Sequence, residues 1–225
     1  MDALKLKRTL PNIYQRLFNK YGPQHWWPAE EPFEVIVGAI LTQSAAWTNV
    51  EKAIKNLKAA NALNPLTLRQ MPHDKLAELI YSCVYYNVKA RKLKAFVEWF
   101  GEKYSDSLDM LFAQDQDSLR QQLLNIYGVG EETADSIMLY AGNKLTFVID
   151  AYTRRIMGRV GTKPDKDTYG EWQKLFMDNL PADVKMFNEY HGLLVRLGKE
   201  VCRTRPLCQQ CCLNPDICRN LHHEG

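Results

Sequence analysis

The chain has 225 residues, of which 46% are hydrophobic and 24% are charged, and its formal net charge is +3. This is the composition of an ordinary globular protein that can bury one substantial core or two smaller ones. No apolar run reaches the roughly 18 residues that a transmembrane helix needs, and the N-terminus lacks the apolar stretch of a signal peptide, so we expect a cytoplasmic protein with no membrane partner.

Apolar residues recur at intervals of three and four along most of the chain, and no long alternating run is present. This periodicity predicts an all-α fold. Asn, Pro, Gly and Asp signals divide the pattern into short helices. In chain order, the predicted helices cover residues 33–41, 47–60, 66–71, 73–82, 90–104, 117–126, 131–140, 152–159, 167–179 and 184–200.

Three tryptophans lie near the start of the chain. Trp26 and Trp27 stand between His25 and Pro28, and Trp47 begins a predicted helix. Indoles in a helical protein usually lie in the core. The alternative is that their ring faces stack on a nucleobase that has left the duplex.

Positive charge is concentrated in two places, and each permits two interpretations. A solvated helix face is one interpretation, and a surface for a polyanion is the other. The two clusters are Lys89, Arg91, Lys92 and Lys94, and Arg154, Arg155 and Arg159.

A Gly-Val-Gly turn separates two predicted helices in the segment IYGVGEETADSIMLYA. Gly128 and Gly130 permit a tight backbone that a Cβ atom would obstruct. The amides that follow the turn could then face an anion such as a phosphate. A plain interhelical turn, with Glu131 and Glu132 as favourable acids in the first helical turn, is the other interpretation.

A single carboxylate interrupts the apolar run Phe147-Val148-Ile149-Asp150. Asp150 is well placed to be the N-cap of the helix that begins near Tyr152, which is a frequent use of Asp after an extended segment. A catalytic role is compatible with capping.

Five of the six cysteines lie between Cys202 and Cys218, while Cys83 is predicted to be a core residue. Crowded cysteines in a reducing compartment indicate a metal site rather than a disulfide framework. The spacing Cys202-x5-Cys208-x2-Cys211-x6-Cys218 suits either a tetrahedral zinc ion or a [4Fe-4S] cluster.

The order of these motifs, from YGVGEETA through VIDAY to the terminal cysteines, resembles the helix-hairpin-helix DNA glycosylases of the endonuclease III superfamily over nearly the whole chain. The resemblance implies two domains: a helical domain at 31–146 that contains the hairpin, and a second domain formed by 1–30 and 147–225, with the cluster loop at 202–218. It also implies a base excision repair enzyme that acts on double-stranded DNA with a damaged base. We expect a nucleoid-associated monomer.

The same resemblance implies roles for individual residues. Asp150 is the catalytic group at the base pocket. The hairpin contacts DNA phosphate, often with a bound K⁺ or Na⁺. Strand-cutting members carry a lysine where this chain has Glu132, and a carboxylate cannot form a Schiff base, so the resemblance implies a monofunctional glycosylase without AP lyase activity. The implied DNA-binding residues are Gln43, Gly128, Val129, Gly130, Glu132, Thr133 and Arg154.

A narrower resemblance rests on WWP, on GAILTQ with an aromatic residue five positions after its Thr, and on YGVGEETADSIMLYA. Together these are similar to the 3-methyladenine DNA glycosylase III subfamily. There, residues matching Trp26, Trp27, Pro28 and Trp47 frame the damaged base, although position 47 is Phe in that group. His25 either contacts the base edge or lies exposed in the loop. Gln43, by resemblance, fills the gap in the duplex or contacts the orphaned strand.

Physical chemistry favours an alkylated purine as the substrate. A base methylated at N3 or N7 carries positive charge, so it leaves readily, and stacking it on an indole adds a cation-π energy of about 0.5 to 2 kcal/mol. Uracil, a mismatched thymine or an oxidised base stays open as an alternative substrate. A non-catalytic DNA-binding protein and a zinc protein with a structural hairpin also stay open.

The cysteine spacing departs from the resemblance in one respect. Endonuclease III relatives bind [4Fe-4S] with spacing x6, x2, x5, whereas this chain has x5, x2, x6. The resemblance favours the cluster over zinc, and Cys211 rather than Cys212 keeps the x2 spacing. The 3-methyladenine subfamily lacks the cluster, which sets this chain apart from it.

Overall fold

The computed structural model describes residues 3–218, and every regular element in that range is a helix. The predicted all-α class is confirmed. In chain order the α-helices are α1 (Ala3–Tyr21), α2 (Pro32–Leu41), α3 (Trp47–Ala59), α4 (Pro65–Gln70), α5 (His73–Leu79), α6 (Tyr86–Tyr104), α7 (Leu108–Phe112), α8 (Gln116–Leu124), α9 (Glu131–Ser136), α10 (Ala151–Val160), α11 (Tyr169–Met177) and α12 (Val184–Glu200). A π-helical turn (Ile137–Ala141) continues α9, and a 3-10 turn covers Cys208–Gln210. None of the helices within 3–218 is long and apolar enough to cross a membrane.

The first helix was absent from the helices predicted above. Pro11 lies inside α1 and interrupts the sequence signals of a helix. Leu10, Ile13 and Leu17 are nevertheless fully buried, and their spacing of three and four residues places them on one helix face. The apolar stripe was therefore the signal that could have identified α1.

The predicted helix at 73–82 ends earlier than expected. α5 stops at Leu79, and the chain turns before α6 begins at Tyr86. Tyr85 has a left-handed backbone with φ of 58°. A helix cannot pass through such a residue, so the turn is set by the backbone at this position.

Side-chain caps fix where several helices begin. Each capping oxygen accepts a hydrogen bond from a backbone N–H two or three residues further on, and such a cap contributes about 1 kcal/mol. The capping residues are Asn64, Ser107, Asp115, Asp150, Thr168 and Asp183.

The chain divides into two compact units. The central unit runs from Pro28 to Lys144. The terminal unit joins the chain up to Trp27 to the chain from Leu145 onward. The hairpin therefore belongs to the central unit, whereas Asp150 and the cysteine loop belong to the terminal unit.

The core of the central unit forms around α2, in which every residue from Phe33 to Leu41 is buried. α2 packs against α3, α6, α9 and the π-helical turn. Two lysines of α6 bond the carbonyl ends of other helices. Lys89 is buried and donates to the carbonyl of Leu41 at 2.8 Å, and Lys94 is half-buried and donates to that of Arg69 at 2.8 Å. A cation suits these positions because the carbonyl end of a helix is negative.

The core of the terminal unit forms around α12, against which α1 and α10 pack. Phe147 stacks on Phe176 with ring centroids 4.1 Å apart, and Phe187 and Tyr190 meet Phe147 edge-on. Aromatic pairs of this kind add about 0.5 to 1.5 kcal/mol beyond area burial. The cluster fixes the segment that leads to Asp150.

Candidate active site

The segment before Asp150 is extended and buried, although it belongs to no sheet. Side chains of α11 satisfy its backbone. The N–H of Ile149 donates to the hydroxyl of Tyr169 at 3.2 Å, and Nε2 of Gln173 donates to the carbonyl of Phe147 at 2.9 Å. Buried backbone groups need such partners, so α11 holds this segment in a single conformation.

The two carboxylate oxygens of Asp150 have different neighbours. Oδ1 accepts a hydrogen bond from the backbone N–H of Thr153 at 2.7 Å, which confirms the predicted N-cap. Oδ2 lies 3.7 Å from Nε2 of His191, a buried residue of α12 that the sequence reasoning missed. The N-cap thus occupies one oxygen, and the other faces the imidazole.

Asp150 is ionised in spite of its burial. Burial acts to raise the pKa of this carboxyl, but His191 and the hydrogen bonds from Thr153 outweigh it, and the pKa lies below the ordinary value. A buried carboxylate held ionised in this way is typical of a functional site, although structural ion pairs produce the same effect.

The loop that carries the first two tryptophans lies against α12. The backbone N–H of Gln24 donates to Oε1 of Glu189 at 2.5 Å. A Cβ atom added to Gly192 would come within 2.9 Å of Cβ of Trp26, so this glycine permits the close approach. The indole packs beside the residue that follows His191, and the terminal unit brings Trp26 and Asp150 to the same turn of α12.

Trp26, Trp27 and Trp47 are half-buried rather than core residues. The rings of Trp26 and Trp27 lie 5.5 Å apart, and Nζ of Lys199 lies 5.7 Å from the ring centre of Trp26. Trp47 is the first residue of α3, where its Nε1 donates to Glu51 at 2.7 Å. His25 and Pro28 are exposed. Pro28 and Trp47 belong to the central unit.

The hairpin consists of α8, the turn and α9. Gly128 has a left-handed backbone with φ of 80°, and a Cβ atom there would overlap the side chain of Lys92, so the predicted need for glycine is confirmed at 128. The same prediction was wrong at Gly130, which has φ of −95° and open space where a Cβ atom would lie. The side chain of Val129 is buried, whereas Glu132 is exposed.

Gln43 makes two hydrogen bonds to the hairpin and one to α6. Its Nε2 donates to the carbonyl of Gly128 and to Oγ1 of Thr133, both at 2.9 Å, and its Oε1 accepts from Nζ of Lys92. The predicted role of Gln43, filling a gap in DNA, would require these bonds to break. In this structure Gln43 links the segment after α2 to the turn.

A buried ion pair that the sequence reasoning missed holds the hairpin helices together. Arg120 of α8 donates to both oxygens of Asp135 in α9, at 2.9 and 3.0 Å. The side chain of Asp135 is fully buried, and the paired geometry is the most favourable one for arginine and a carboxylate.

The first basic cluster is largely structural. Lys89 and Lys94 cap helices, and Lys92 bonds Gln43. Burial lowers the pKa of Lys89 and of Lys94. Arg91 is exposed, with its guanidinium 5.9 Å from the ring centre of Tyr127. The interpretation of the whole cluster as a solvated face was therefore wrong, because three of its four cations bond groups within the protein.

The second basic cluster secures the cysteine loop. Arg155 donates to the carbonyls of Gly198 and Cys202, each at 2.9 Å. Arg159 donates to Sγ of Cys202 at 3.2 Å and to the carbonyl of Arg203 at 2.6 Å. Arg154 instead pairs with Asp167 at 2.8 Å. Arg155 and Arg159 thus bind the loop to α10, whereas Arg154 makes no contact with the loop among the bonds described here.

Four cysteines line one small cavity: Cys202, Cys208, Cys211 and Cys218. None of the four forms a disulfide, and burial raises the pKa of Cys211 to about 11. Within residues 3–218, no three His, Cys, Asp or Glu side chains gather closely enough for a single metal ion. Cys212 is absent from the lining.

The turn between α5 and α6 exposes large apolar side chains that the sequence reasoning did not single out. Tyr81 and Tyr85 are each 68% exposed, and Val84 is 47% exposed. Cys83, in the same turn, is buried as predicted. Clustered exposed apolar groups of this kind often mark a contact surface.

Comparison with known proteins agrees with this architecture. The family profile described as "HhH-GPD superfamily base excision DNA repair protein" matches residues 37–182. A provisionally named DNA repair glycosylase of Methanocaldococcus jannaschii is 46% identical over 201 residues, which cover 88% of this chain and 91% of that protein.

Two solved structures have similar folds. A 3-methyladenine DNA glycosylase of Helicobacter pylori bound to 1,N6-ethenoadenine has a TM-score of 0.74 and 25% identity, over 89% of this chain and 98% of the other. A non-covalent endonuclease III–DNA complex has a TM-score of 0.80 over 95% of both chains, at 22% identity, and supports the fold alone. The predicted superfamily is confirmed: the chain belongs to the HhH-GPD superfamily of base excision DNA repair proteins and is a DNA glycosylase of that superfamily.

Proposed function

We propose that this protein is a monofunctional DNA glycosylase that removes an alkylated purine, such as 3-methyladenine, from double-stranded DNA. The observation that carries the proposal is Asp150, an ionised and buried carboxylate on a rigid segment, next to the helix turn on which Trp26 packs.

The proposed reaction needs a fixed negative charge. As the N-glycosidic bond breaks, its electron pair leaves with the base and positive charge builds on the sugar. Water then bonds to C1′ and loses a proton to Asp150 or to solvent. A purine methylated at N3 leaves as a neutral molecule, so no general acid is required. The lowered pKa of Asp150 keeps it ionised at neutral pH, as this role demands.

The half-buried tryptophans suit a cationic base. The ring centres of Trp26 and Trp27 lie 5.5 Å apart, and the ammonium of Lys199, 5.7 Å from the ring centre of Trp26, would have to move away before a cationic base could stack there. We propose that these two indoles, with His25 beside them, bind the extruded base. Stacking would return part of the few kcal/mol that base flipping costs.

Glu132 supports the absence of AP lyase activity. Its carboxylate is exposed on the first turn of α9, the position at which the resemblance implies a lysine in strand-cutting relatives. A carboxylate supplies no amine for a Schiff base.

The hairpin supports the proposed phosphate contact. The open space at Gly130 would let a phosphate approach the backbone amides at the start of α9, and Gln43 and Lys92 hold the turn in place. Glu131, which would repel a phosphate, lies 3.6 Å from Arg120. We propose that Arg154 contributes a further phosphate contact, and that the turn binds K⁺ or Na⁺ through its carbonyl groups.

We propose that Cys202, Cys208, Cys211 and Cys218 hold a [4Fe-4S] cluster. The four side chains line one cavity, and the resemblance to endonuclease III relatives favours the cluster over zinc. Arg159 also donates to Sγ of Cys202, as a thiolate ligand would favour. The cluster would supply a cross-link that fixes the loop, and no step of the reaction passes through it.

An excision panel tests the proposal. Duplexes would carry 3-methyladenine, 7-methylguanine, hypoxanthine, uracil, thymine opposite guanine, an oxidised pyrimidine or adenine opposite 8-oxoguanine, and release of free base would be measured. We expect release of the methylated purines by a monomeric protein. If only another base is released, the proposed substrate is wrong and that base takes its place. If the protein binds DNA but releases no base, a non-catalytic DNA-binding protein is favoured.

A further inference from the structure

Asp150 and His191 form a buried pair in the terminal unit. They are 8% and 5% exposed, respectively, and Nε2 of His191 lies 3.7 Å from Oδ2 of Asp150. The backbone N–H of Thr153 already holds Oδ1 at 2.7 Å. One hydrogen bond fixes a single oxygen and leaves the carboxylate free to pivot about it. At 3.7 Å the imidazole lies just beyond hydrogen-bond distance of Oδ2, and a small shift would bring a second donor to that oxygen and fix the plane of the carboxylate.

The neighbours of His191 fix the position of its imidazole. Tyr190, the preceding residue, is fully buried, and its ring packs edge-on against Phe147 and Phe176. Gly192, the next residue, packs against Trp26. This stretch of α12 is therefore held on both sides, and the ring cannot move away from Asp150 without disturbing packed neighbours.

We propose that His191 is a positioning residue for base excision, which directs its Nε2–H to Oδ2 and thereby sets the orientation of the Asp150 carboxylate. The proposal rests on the proposed function in assigning Asp150 to the reaction. Each carboxylate oxygen has two lone pairs, so both oxygens keep one for water or for the sugar.

Three variants separate positioning from packing. His191→Gln keeps an N–H donor at comparable reach, and His191→Leu removes it. Tyr190→Phe is the matched control, because it removes a buried hydrogen bond from the adjacent residue without touching Asp150. For each variant we would measure the denaturant midpoint, the Kd for a lesion duplex, and the single-turnover rate of base release on the best substrate of the panel.

We expect His191→Leu to lower the single-turnover rate by about 100-fold, because small misplacements of a reacting group have effects of that size. The Kd should change less than about threefold, and His191→Gln should restore the rate to within about tenfold of wild type. Tyr190→Phe should be destabilised with an unchanged rate. A folded His191→Leu protein with the wild-type rate would overturn the proposal.

A second measurement needs no substrate. In ¹⁵N-labelled protein, the imidazole signals of His191, assigned by their loss in His191→Gln, should show the proton on Nε2 and should shift in Asp150→Asn. A proton on Nδ1 alone would overturn the positioning role. Inactivity of the wild type on the whole panel would instead overturn the proposed function, and the Nε2 result would still decide where His191 directs its proton.

Discussion

Replacing Asp150 by Asn separates capping from chemistry. The amide keeps an oxygen that can accept the N–H of Thr153, which Oδ1 now accepts at 2.7 Å, and Asn is as good an N-cap as Asp. What the substitution removes is the charge. We therefore expect the free energy of unfolding at neutral pH to change by no more than about 1 kcal/mol.

The rate should respond far more than the stability. Removing a preorganised electrostatic group from a partly dry site raises the barrier by roughly 2.7 to 4 kcal/mol, and each 1.36 kcal/mol is about a factor of ten. Because Asp150 is only 8% exposed, water cannot easily replace its charge, and the upper end of that range applies. We expect single-turnover release of base to fall about 1000-fold.

Asp150→Ala is the matched variant. It removes both the charge and the cap, so it should be as inactive as Asp150→Asn and less stable by about 1 kcal/mol. Base release from a methylated duplex and urea unfolding, measured on the same preparations, give the two quantities. An Asp150→Asn protein that keeps its rate within tenfold of wild type would refute the catalytic assignment.

Four further predictions follow from single contacts. Purified protein should be brown with absorbance near 400 nm; Cys211→Ser should lose that absorbance and its iron, whereas Cys212→Ser, outside the cavity, should keep both. Borohydride should trap no covalent complex with lesion DNA, because Glu132 offers no amine; a trapped band on a denaturing gel would contradict this. Gln43→Ala should weaken binding even to undamaged duplex by about tenfold, because its two hydrogen bonds to the hairpin are worth about 1 to 3 kcal/mol together. If only binding to the lesion duplex is weakened, Gln43 fills the gap in the DNA instead. Folding lowers the pKa of Asp150 from 3.8, so ionised Asp150 stabilises the folded protein above that pH. This contribution is lost as the pH falls through the pKa of the folded state. The free energy of unfolding should therefore depend less on pH below about pH 4 in Asp150→Asn.

The architecture could be predicted because its signals are local. Apolar periodicity, caps and turn glycines lie within a few residues of each other in the sequence, and they identified most helices as well as the N-cap at Asp150. The failures were also local in origin. Pro11 concealed α1, and the left-handed backbone of Tyr85 ended a helix that composition alone would extend.

The partners of the site could not be predicted because they come from distant parts of the chain. His191 lies 41 residues after Asp150, and no spacing rule connects a histidine on one helix to the N-cap of another. The basic clusters failed for the same reason. Lys89 bonds the end of a helix 48 residues away, but in the sequence it cannot be distinguished from a lysine on a solvated helix face.

The two oxygens of Asp150 explain why a carboxylate occupies this position. Capping alone would be met by Ser, Thr or Asn, each of which offers one acceptor to the N–H of Thr153. Among capping residues, only Asp also offers a second acceptor oxygen that faces the buried imidazole and a negative charge. Glu has both, but its longer side chain would extend too far to cap the helix. Asn would meet the need for a cap without a charge, so the retained charge of Asp150 points to a role beyond capping. A sugar that becomes cationic during base release provides that role.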